Sequence, residues 1–181
     1  MFKGKRTHII LALGALLFIP NMINAQAQVE KGKWELKDNK WKYYNEKSEL
    51  QKGWLDLKGD WYYLDKNTGD MLTGWQTIDG STYYFDTKAE GIEGRMHTAW
   101  YKSPKGNWYF FNNDIKSSKL GIIRTGWQWI DGYCYYFETN PKDIGKMYLG
   151  KVGEYLLNSN GQWADASGKA FYVEGKGFNT K

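Results

Sequence analysis

The sequence contains little of several features that commonly hold a protein together or anchor it. Among its 181 residues it has one cysteine, Cys134, and three prolines. A single cysteine excludes an intramolecular disulfide, so packing or ligands must stabilise the chain. With so little proline, the chain is not a proline-rich linker. Its one apolar run, residues 9–19, is too short to span about 30 Å of hydrocarbon as a helix.

Aromatic residues are abundant instead. The chain has 10 Trp, 14 Tyr and 8 Phe, which make up 18% of its residues, although its mean hydropathy is −0.70. Disordered segments have few aromatic residues, so this composition excludes a disordered tail. The length fits one ordinary domain or one array of small repeats.

The N-terminus has the layout of a secretory signal peptide. Lys3, Lys5 and Arg6 precede the apolar run, and small residues ending at Ala27 supply a cleavage site. We therefore predict a signal peptide over residues 1–27, with cleavage two residues earlier or a retained anchor as alternatives. Removing this segment lowers the net charge from +5 to +2. The remaining charges are interspersed, which disfavours nucleic acid as a partner.

Tryptophan marks an internal repeat. An opening tryptophan lies at positions 34, 54, 75, 100 and 127, and an aromatic trio follows seven or eight residues later. In the second copy the three trio positions are Trp61, Tyr62 and Tyr63. Such self-similarity is typical of repeat arrays. The predicted copies lie near residues 32–52, 53–73, 74–98, 99–125 and 126–150, followed by a degenerate cap at 151–164 and a tail at 165–181 with one further candidate strand.

Each copy is predicted to form a β-hairpin. The trio is rich in residues that favour strands, and turn dipeptides precede it at Lys58-Gly59, Asp79-Gly80 and Asp131-Gly132. A lone hairpin is marginally stable in water, so successive hairpins must stack to bury their apolar faces. The predicted fold is therefore all-β, a β-solenoid of stacked hairpins.

The repeat pattern resembles the choline-binding repeat family of cell-wall-attached proteins in Gram-positive bacteria. The second copy carries it most completely, with Gly53-Trp54, then Trp61-Tyr62-Tyr63-Leu64, then Gly69-Asp70-Met71-Leu72-Thr73. The resemblance covers about residues 32–164. It implies a left-handed β-solenoid that binds phosphorylcholine of teichoic and lipoteichoic acids between successive hairpins. Choline is a quaternary ammonium, which aromatic faces attract.

The resemblance also implies the site residues. Each site takes an opening tryptophan and the first trio ring of one hairpin, the third trio ring of the next hairpin, and a nearby linker methionine. The three sites expected on this basis are Trp34, Trp41 and Tyr63 with Leu50 near the methionine position; Trp54, Trp61 and Tyr84 with Met71; and Trp100, Trp108 and Tyr136 with Ile123 in place of methionine.

Two junctions depart from the pattern. Thr82 and Cys134 replace the first trio tryptophan after Trp75 and Trp127. We expect these junctions to pack rather than bind choline, with Trp75, Phe110, Met96 and Trp127 as weaker candidates. Side chains alternate along a strand, so five further tyrosines are assigned to packing: Tyr43, Tyr62, Tyr83, Tyr109 and Tyr135. Trp129 and Trp163 lie outside the pattern.

The sequence contains no phosphate loop, zinc spacing or nucleophile–base arrangement, so we predict neither enzymatic activity nor a cofactor or metal. The predicted function is a secreted, non-catalytic protein attached non-covalently to the cell wall. One alternative is a glucan-binding module, because sugars also stack on aromatic rings. Another is an adhesin whose long loops, residues 88–95, 112–124 and 140–146, contact a host protein. A second copy of the chain is a further candidate partner, which would make the protein a homodimer.

Overall fold

The computed structural model describes residues 32–180, so the predicted signal peptide lies outside the described residues. This part of the chain has no α-helix, and hence none that could span a bilayer. It forms thirteen β-strands: β1 Gly32–Lys37, β2 Lys40–Asn45, β3 Gly53–Leu57, β4 Asp60–Leu64, β5 Gly74–Ile78, β6 Ser81–Phe85, β7 Ala99–Lys102, β8 Trp108–Phe111, β9 Gly126–Ile130, β10 Tyr133–Phe137, β11 Gly150–Val152, β12 Tyr155–Leu157 and β13 Trp163–Ala164.

Consecutive strands pair as antiparallel hairpins. Strands β1 to β10 form five two-stranded sheets, and β11, β12 and β13 form a three-stranded one. The turn residues make these tight connections possible: Asp79 and Gly80 both have positive φ, 48° and 79°. Two successive residues in this conformation are what a type I′ turn requires. The predicted all-β architecture of stacked hairpins is thus confirmed.

Each hairpin has two faces because side chains alternate along its strands. In the second hairpin, Trp54 lies directly opposite Tyr63 and shares a face with Trp61, which we call the front face. Tyr62 and Leu64 lie on the other face, the back face. The equivalent positions of the other hairpins are named in the same way.

The core forms where the front face of one hairpin packs on the back face of the next. Tyr43 on the first front face clusters with Tyr62 and Leu64 on the second back face. Similarly, Tyr63 clusters with Tyr83 and Phe85 of the third hairpin. At these junctions, front-face side chains of one hairpin therefore pack on back-face side chains of the next.

The linkers between hairpins return to the preceding junction. The Met71 N–H donates to the Trp41 carbonyl at 2.8 Å, and the Met96 N–H donates to the Trp61 carbonyl at 2.7 Å. Each methionine also bridges to the last residue of its own hairpin, as Met71 does with Leu64. A linker residue therefore belongs to the junction between its own hairpin and the one before it.

The C-terminal residues fold back onto the fifth hairpin. Phe178 forms a bridge with Ile130, and its ring packs 5.4 Å from that of Phe110. Ala170 and Tyr172, in the region of the candidate strand, form isolated bridges. The tail therefore packs on the fifth hairpin at the end where β9 turns into β10.

Candidate functional site

The second junction, between the second and third hairpins, contains a cage of three rings. The centroid of Trp54 lies 6.2 Å from that of Trp61, with the rings at 78°, and 5.0 Å from that of Tyr83 of the next hairpin. Met96 packs in the same cluster as Tyr83 and Trp61. Tyr83 is buried, whereas Trp54 is 38% exposed. We call these four residues the second cage; its floor is closed and its rim is open to solvent.

The first junction repeats this arrangement around a cavity of about 270 Å³. Trp34 lies 5.2 Å from Tyr62 at 63°, and Met71 is buried beside them. We call Trp34, Trp41, Tyr62 and Met71 the first cage. The cavity is lined by Trp34, Trp41, Tyr62, Met71, Ile92 and Glu93.

The fourth junction forms a third cage from Trp100, Trp108, Tyr135 and Met147. Trp100 lies 6.0 Å from Trp108 at 88° and 5.0 Å from Tyr135. Met147 packs on the same cluster, and its N–H donates to the Trp108 carbonyl at 2.7 Å. These three junctions thus share one set of residues, two tryptophans with a tyrosine and a methionine, and in the second and third cages the tryptophan rings are steeply inclined, at 78° and 88°.

The other two junctions have no second tryptophan at the first trio position. Trp75 packs on Tyr109 at 4.8 Å, with Thr82 where Trp61 stands in the second hairpin. Trp127 packs on Tyr155 of the cap at 5.3 Å, and Cys134 is buried. Burial raises the pKa of the Cys134 thiol, which disfavours a reactive thiolate.

The opening and first trio tryptophans expected at the three sites do come together, but the expected third rings do not. Tyr63 faces Trp54 of its own hairpin at 5.0 Å, as Tyr84 faces Trp75 at 5.1 Å and Tyr136 faces Trp127 at 5.2 Å. The third trio residue shares the front face with its own opening tryptophan, whereas the preceding hairpin meets the back face. The third ring is therefore the second trio residue.

The other aromatic residues of the trios follow the same division between the two faces. Tyr62, Tyr83, Tyr109 and Tyr135, expected to serve packing alone, each contact the opening tryptophan of the preceding hairpin. Phe110 instead packs against Trp100 of its own hairpin, 5.2 Å away. Tyr43 lies opposite Trp34, so it occupies the third trio position rather than the second.

The methionines are displaced by one junction from their expected places. Met71 belongs to the first cage rather than the second, where Met96 lies instead. Leu50, expected in the first cage, packs against Gly69. Ile123 hydrogen-bonds to the Thr82 carbonyl and so belongs to the Trp75 junction. These residues lie one junction earlier than expected because each linker folds back to the junction that precedes its own hairpin.

Trp129 and Trp163, which the repeat pattern left unassigned, also lie near the last junction. Trp163 is 5.7 Å from Tyr155 at 83°, next to the ring that contacts Trp127. Trp129 lies directly across the hairpin from Cys134, and the Lys176 ammonium lies 4.2 Å from its ring centroid. The tail thus supplies an internal cation to an aromatic face.

Comparison with known proteins decides the family. A family model described as the choline-binding repeat matches residues 31–73 and 72–115. The structure is similar to that of choline binding protein F from Streptococcus pneumoniae, with 32% identity and a TM-score of 0.62, covering 74% of this chain and 40% of that one. The chain belongs to the choline-binding repeat family.

Two further solved structures are similar to this chain. CbpJ from Streptococcus pneumoniae is 32% identical with a TM-score of 0.61, covering 72% of this chain and 40% of that one. A multimodular pneumococcal cell wall endolysin from phage Cp-1, complexed with choline, is 26% identical with a TM-score of 0.51, covering 86% of this chain and 44% of that one. The chain therefore spans less than half the length of these proteins. No curated protein sequence matches it.

A polar network anchors the loop that follows the third hairpin in this choline-binding repeat protein. The hydroxyls of Tyr84 and Tyr101 both donate to the Glu90 carboxylate, at 2.5 Å and 2.8 Å. Burial and the hydrogen bond to Glu90 raise the pKa of Tyr84 to about 12. Burial alone would raise the pKa of Glu90, but the hydrogen bonds it accepts outweigh that and lower it to about 2. Tyr84 thus anchors this loop through its hydroxyl.

His97 lies beside this network, between two acceptors. Its Nδ1 is 2.7 Å from Oδ1 of Asp86, which is 2% exposed, and its Nε2 is 3.1 Å from the Trp100 carbonyl oxygen. Both ring nitrogens must carry protons to satisfy both acceptors, so the geometry favours the imidazolium. Burial alone would lower the pKa of His97, but these two hydrogen bonds raise it above 6.5.

We expect this contact to make folding stability depend on pH. A raised pKa means that His97 contributes its full stabilisation below pH 6.5 and loses it as pH rises through the folded-state pKa. Each unit of elevation corresponds to about 1.4 kcal/mol. Urea unfolding of the wild type and of His97→Gln should therefore show a difference in free energy that shrinks as the pH is raised from about 6 to 9. A constant difference across that range would contradict the assignment.

Proposed function

We propose that this protein is a secreted, non-catalytic cell-wall attachment protein that binds phosphorylcholine of teichoic and lipoteichoic acids through its three cages. The observation that carries the proposal is the recurrence of one set of residues, two tryptophans with a tyrosine and a methionine, at three of five junctions. The complex of the related endolysin with choline supports the choice of ligand.

The cage chemistry fits a quaternary ammonium. Such a cation has no hydrogen-bond donor, so ring faces and the soft thioether of Met71 or Met96 match its charge and methyl groups. A sugar ring also needs polar groups around its hydroxyls, and the first cage offers few beside Glu93. This difference favours choline over glucan.

Repetition supplies the strength of attachment. Each ring contributes on the order of 0.5–2 kcal/mol, so three rings give about 1.5–6 kcal/mol and a Kd between about 0.1 M and tens of micromolar for one site. Several such sites on one chain, facing a polymer that repeats choline, gain by avidity. A reversible, non-covalent attachment follows, released by free choline.

The experiment is chromatography on a resin that carries a tertiary amine as a choline mimic. We expect the purified protein to be retained at high salt and eluted by free choline in the millimolar range. A dextran column is the control for the glucan-binding alternative. Flow-through on the amine resin, or retention on dextran alone, would overturn the proposal.

A further inference from the structure

A carboxylate lies in the first cage that the repeat pattern does not supply. Glu93, in the loop after the third hairpin, lines the cavity together with Trp34, Trp41 and Tyr62. The Trp41 Nε1–H donates to Glu93 Oε2 at 3.3 Å, which joins the loop to a ring of the cage. The third hairpin thus reaches back over the junction between the first two.

Backbone anchors hold Glu93 in this place. The next residue, Gly94, has a φ of 80°, packs directly against Met71 Sδ, and leaves no room there for a side chain. Its N–H donates to the Asp86 carbonyl at 2.7 Å. At the other end of the loop, Glu90 is fixed by the two tyrosine hydroxyls. The loop therefore presents Glu93 to the first cage from a fixed position.

Glu93 has no ion-pair partner among the described residues 32–180. Within this part of the chain, its carboxylate accepts a hydrogen bond from a neutral indole. Glu93 is also half-buried at the edge of an aromatic cavity. An anion in such a site attracts a cation more strongly than one fully exposed to water.

The equivalent loop positions at the other junctions are not acidic. Gly121 packs on Met96 as Gly94 packs on Met71, and Gly145 and Gly161 pack on Ile123 and Met147. The residues that precede these glycines are Leu120, Ile144 and Asn160. Leu120 packs on the cluster that contains Trp61 and Met96, so it occupies at the second cage the place that Glu93 has at the first.

We propose that Glu93 is a ligand-binding and specificity-determining residue of the first cage, supplying a carboxylate that pairs with a quaternary ammonium held by Trp34, Trp41 and Tyr62. The inference rests on the proposed function and adds a charge-selective site to it. Through this carboxylate the first cage discriminates cationic from neutral ligands of the same shape.

The test is an NMR titration of the ¹⁵N-labelled protein with choline. The indole N–H signal of Trp41, assigned with Trp41→Phe, reports the first cage, and that of Trp108 reports the third. Glu93→Gln keeps an oxygen acceptor for Trp41 and removes only the charge. We expect Kd at Trp41 to rise about three- to tenfold in this variant, with Kd at Trp108 unchanged.

A neutral ligand and added salt separate charge from shape. The choline isostere 3,3-dimethyl-1-butanol has no charge, so its Kd at Trp41 should be the same in the wild type and in Glu93→Gln. Raising NaCl to 0.5 M should reduce the difference in choline Kd, because salt screens partly exposed charges. An effect of equal size on the neutral isostere would overturn the proposal.

The second cage provides the reciprocal test. Leu120→Glu should lower the choline Kd reported by the Trp61 indole about three- to tenfold relative to Leu120→Gln, which has the same size without the charge. Equal choline affinities for Glu93→Gln and the wild type at Trp41, with binding still seen at Trp108, would overturn the role of Glu93 and leave the proposed function standing. Failure of choline to shift any cage signal would overturn both.

Discussion

Trp61→Ala is expected to weaken choline binding at the second cage about tenfold or more. Trp61 forms one wall, inclined at 78° to Trp54 and 6.2 Å from it, and its carbonyl accepts the N–H of Met96. A tryptophan face contributes up to about 2 kcal/mol to a desolvated cation, which corresponds to a roughly 30-fold change in Kd. The Trp54 indole N–H signal during a choline titration measures this cage alone, and the signal of Trp108 should keep its wild-type Kd.

The matched pair Tyr83→Leu and Tyr84→Leu tests which tyrosine completes this cage. Tyr83 lies 5.0 Å from Trp54, whereas Tyr84 packs at 4.2 Å on Tyr101 in the following junction. Both side chains are buried, so both substitutions remove a ring of similar packing value. Only Tyr83→Leu should raise the choline Kd at Trp54, by about three- to tenfold. Equal losses, or a larger loss in Tyr84→Leu, would contradict the cage described above.

The features that could be predicted from the sequence are local ones. The turn dipeptides and the fixed step from the opening tryptophan to the trio lie within one hairpin. Asp79-Gly80, for example, needs no distant contact to adopt the positive φ values of its turn. The two tryptophans of each cage follow from the same step, since Trp54 and Trp61 share one face of one hairpin.

The third ring and the methionine could not be predicted in this way because they depend on how hairpins are turned relative to each other. Alternation along the strand places Tyr62 and Tyr63 on opposite faces, but it does not say which face meets the preceding hairpin. The path of the linker is equally non-local. Met71 follows the second hairpin in the chain and still lies in the cage of the first.

One signal in the sequence does point to the ring that contacts the preceding hairpin. The second trio position holds Lys42 in the first copy, which has no preceding hairpin in the described array, and an aromatic residue in every later copy. Even the cap retains Tyr155 there, although Lys151 has replaced its opening tryptophan. A ring that is kept where the copy's own cage is lost must serve the hairpin before it, and Tyr155 does contact Trp127.

Phe85→Ala is expected to cost about 3–5 kcal/mol of unfolding free energy, the largest stability effect that we predict. Phe85 is fully buried, lies 6.0 Å from Trp54 of the preceding hairpin, and bridges to Met96. Removing a buried phenylalanine ring loses its transfer free energy and leaves a cavity. Urea unfolding followed by tryptophan fluorescence measures the loss, and Ile115→Ala, at a side chain that is 83% exposed, should stay within about 0.5 kcal/mol of the wild type.

The same substitution connects stability with binding. In a stacked array each hairpin packs mainly on its neighbours, so a cavity at Phe85 loosens the contact between the second and third hairpins more than any other. That contact brings Trp54 and Tyr83 together, so the second cage should bind choline more weakly in Phe85→Ala while the third cage keeps its affinity. A loss of stability below about 1 kcal/mol, or an equal loss of affinity at Trp108, would mean that the hairpins do not depend on this packing. Core and cage are built from the same rings, so a residue that never touches the ligand can still decide whether a site exists.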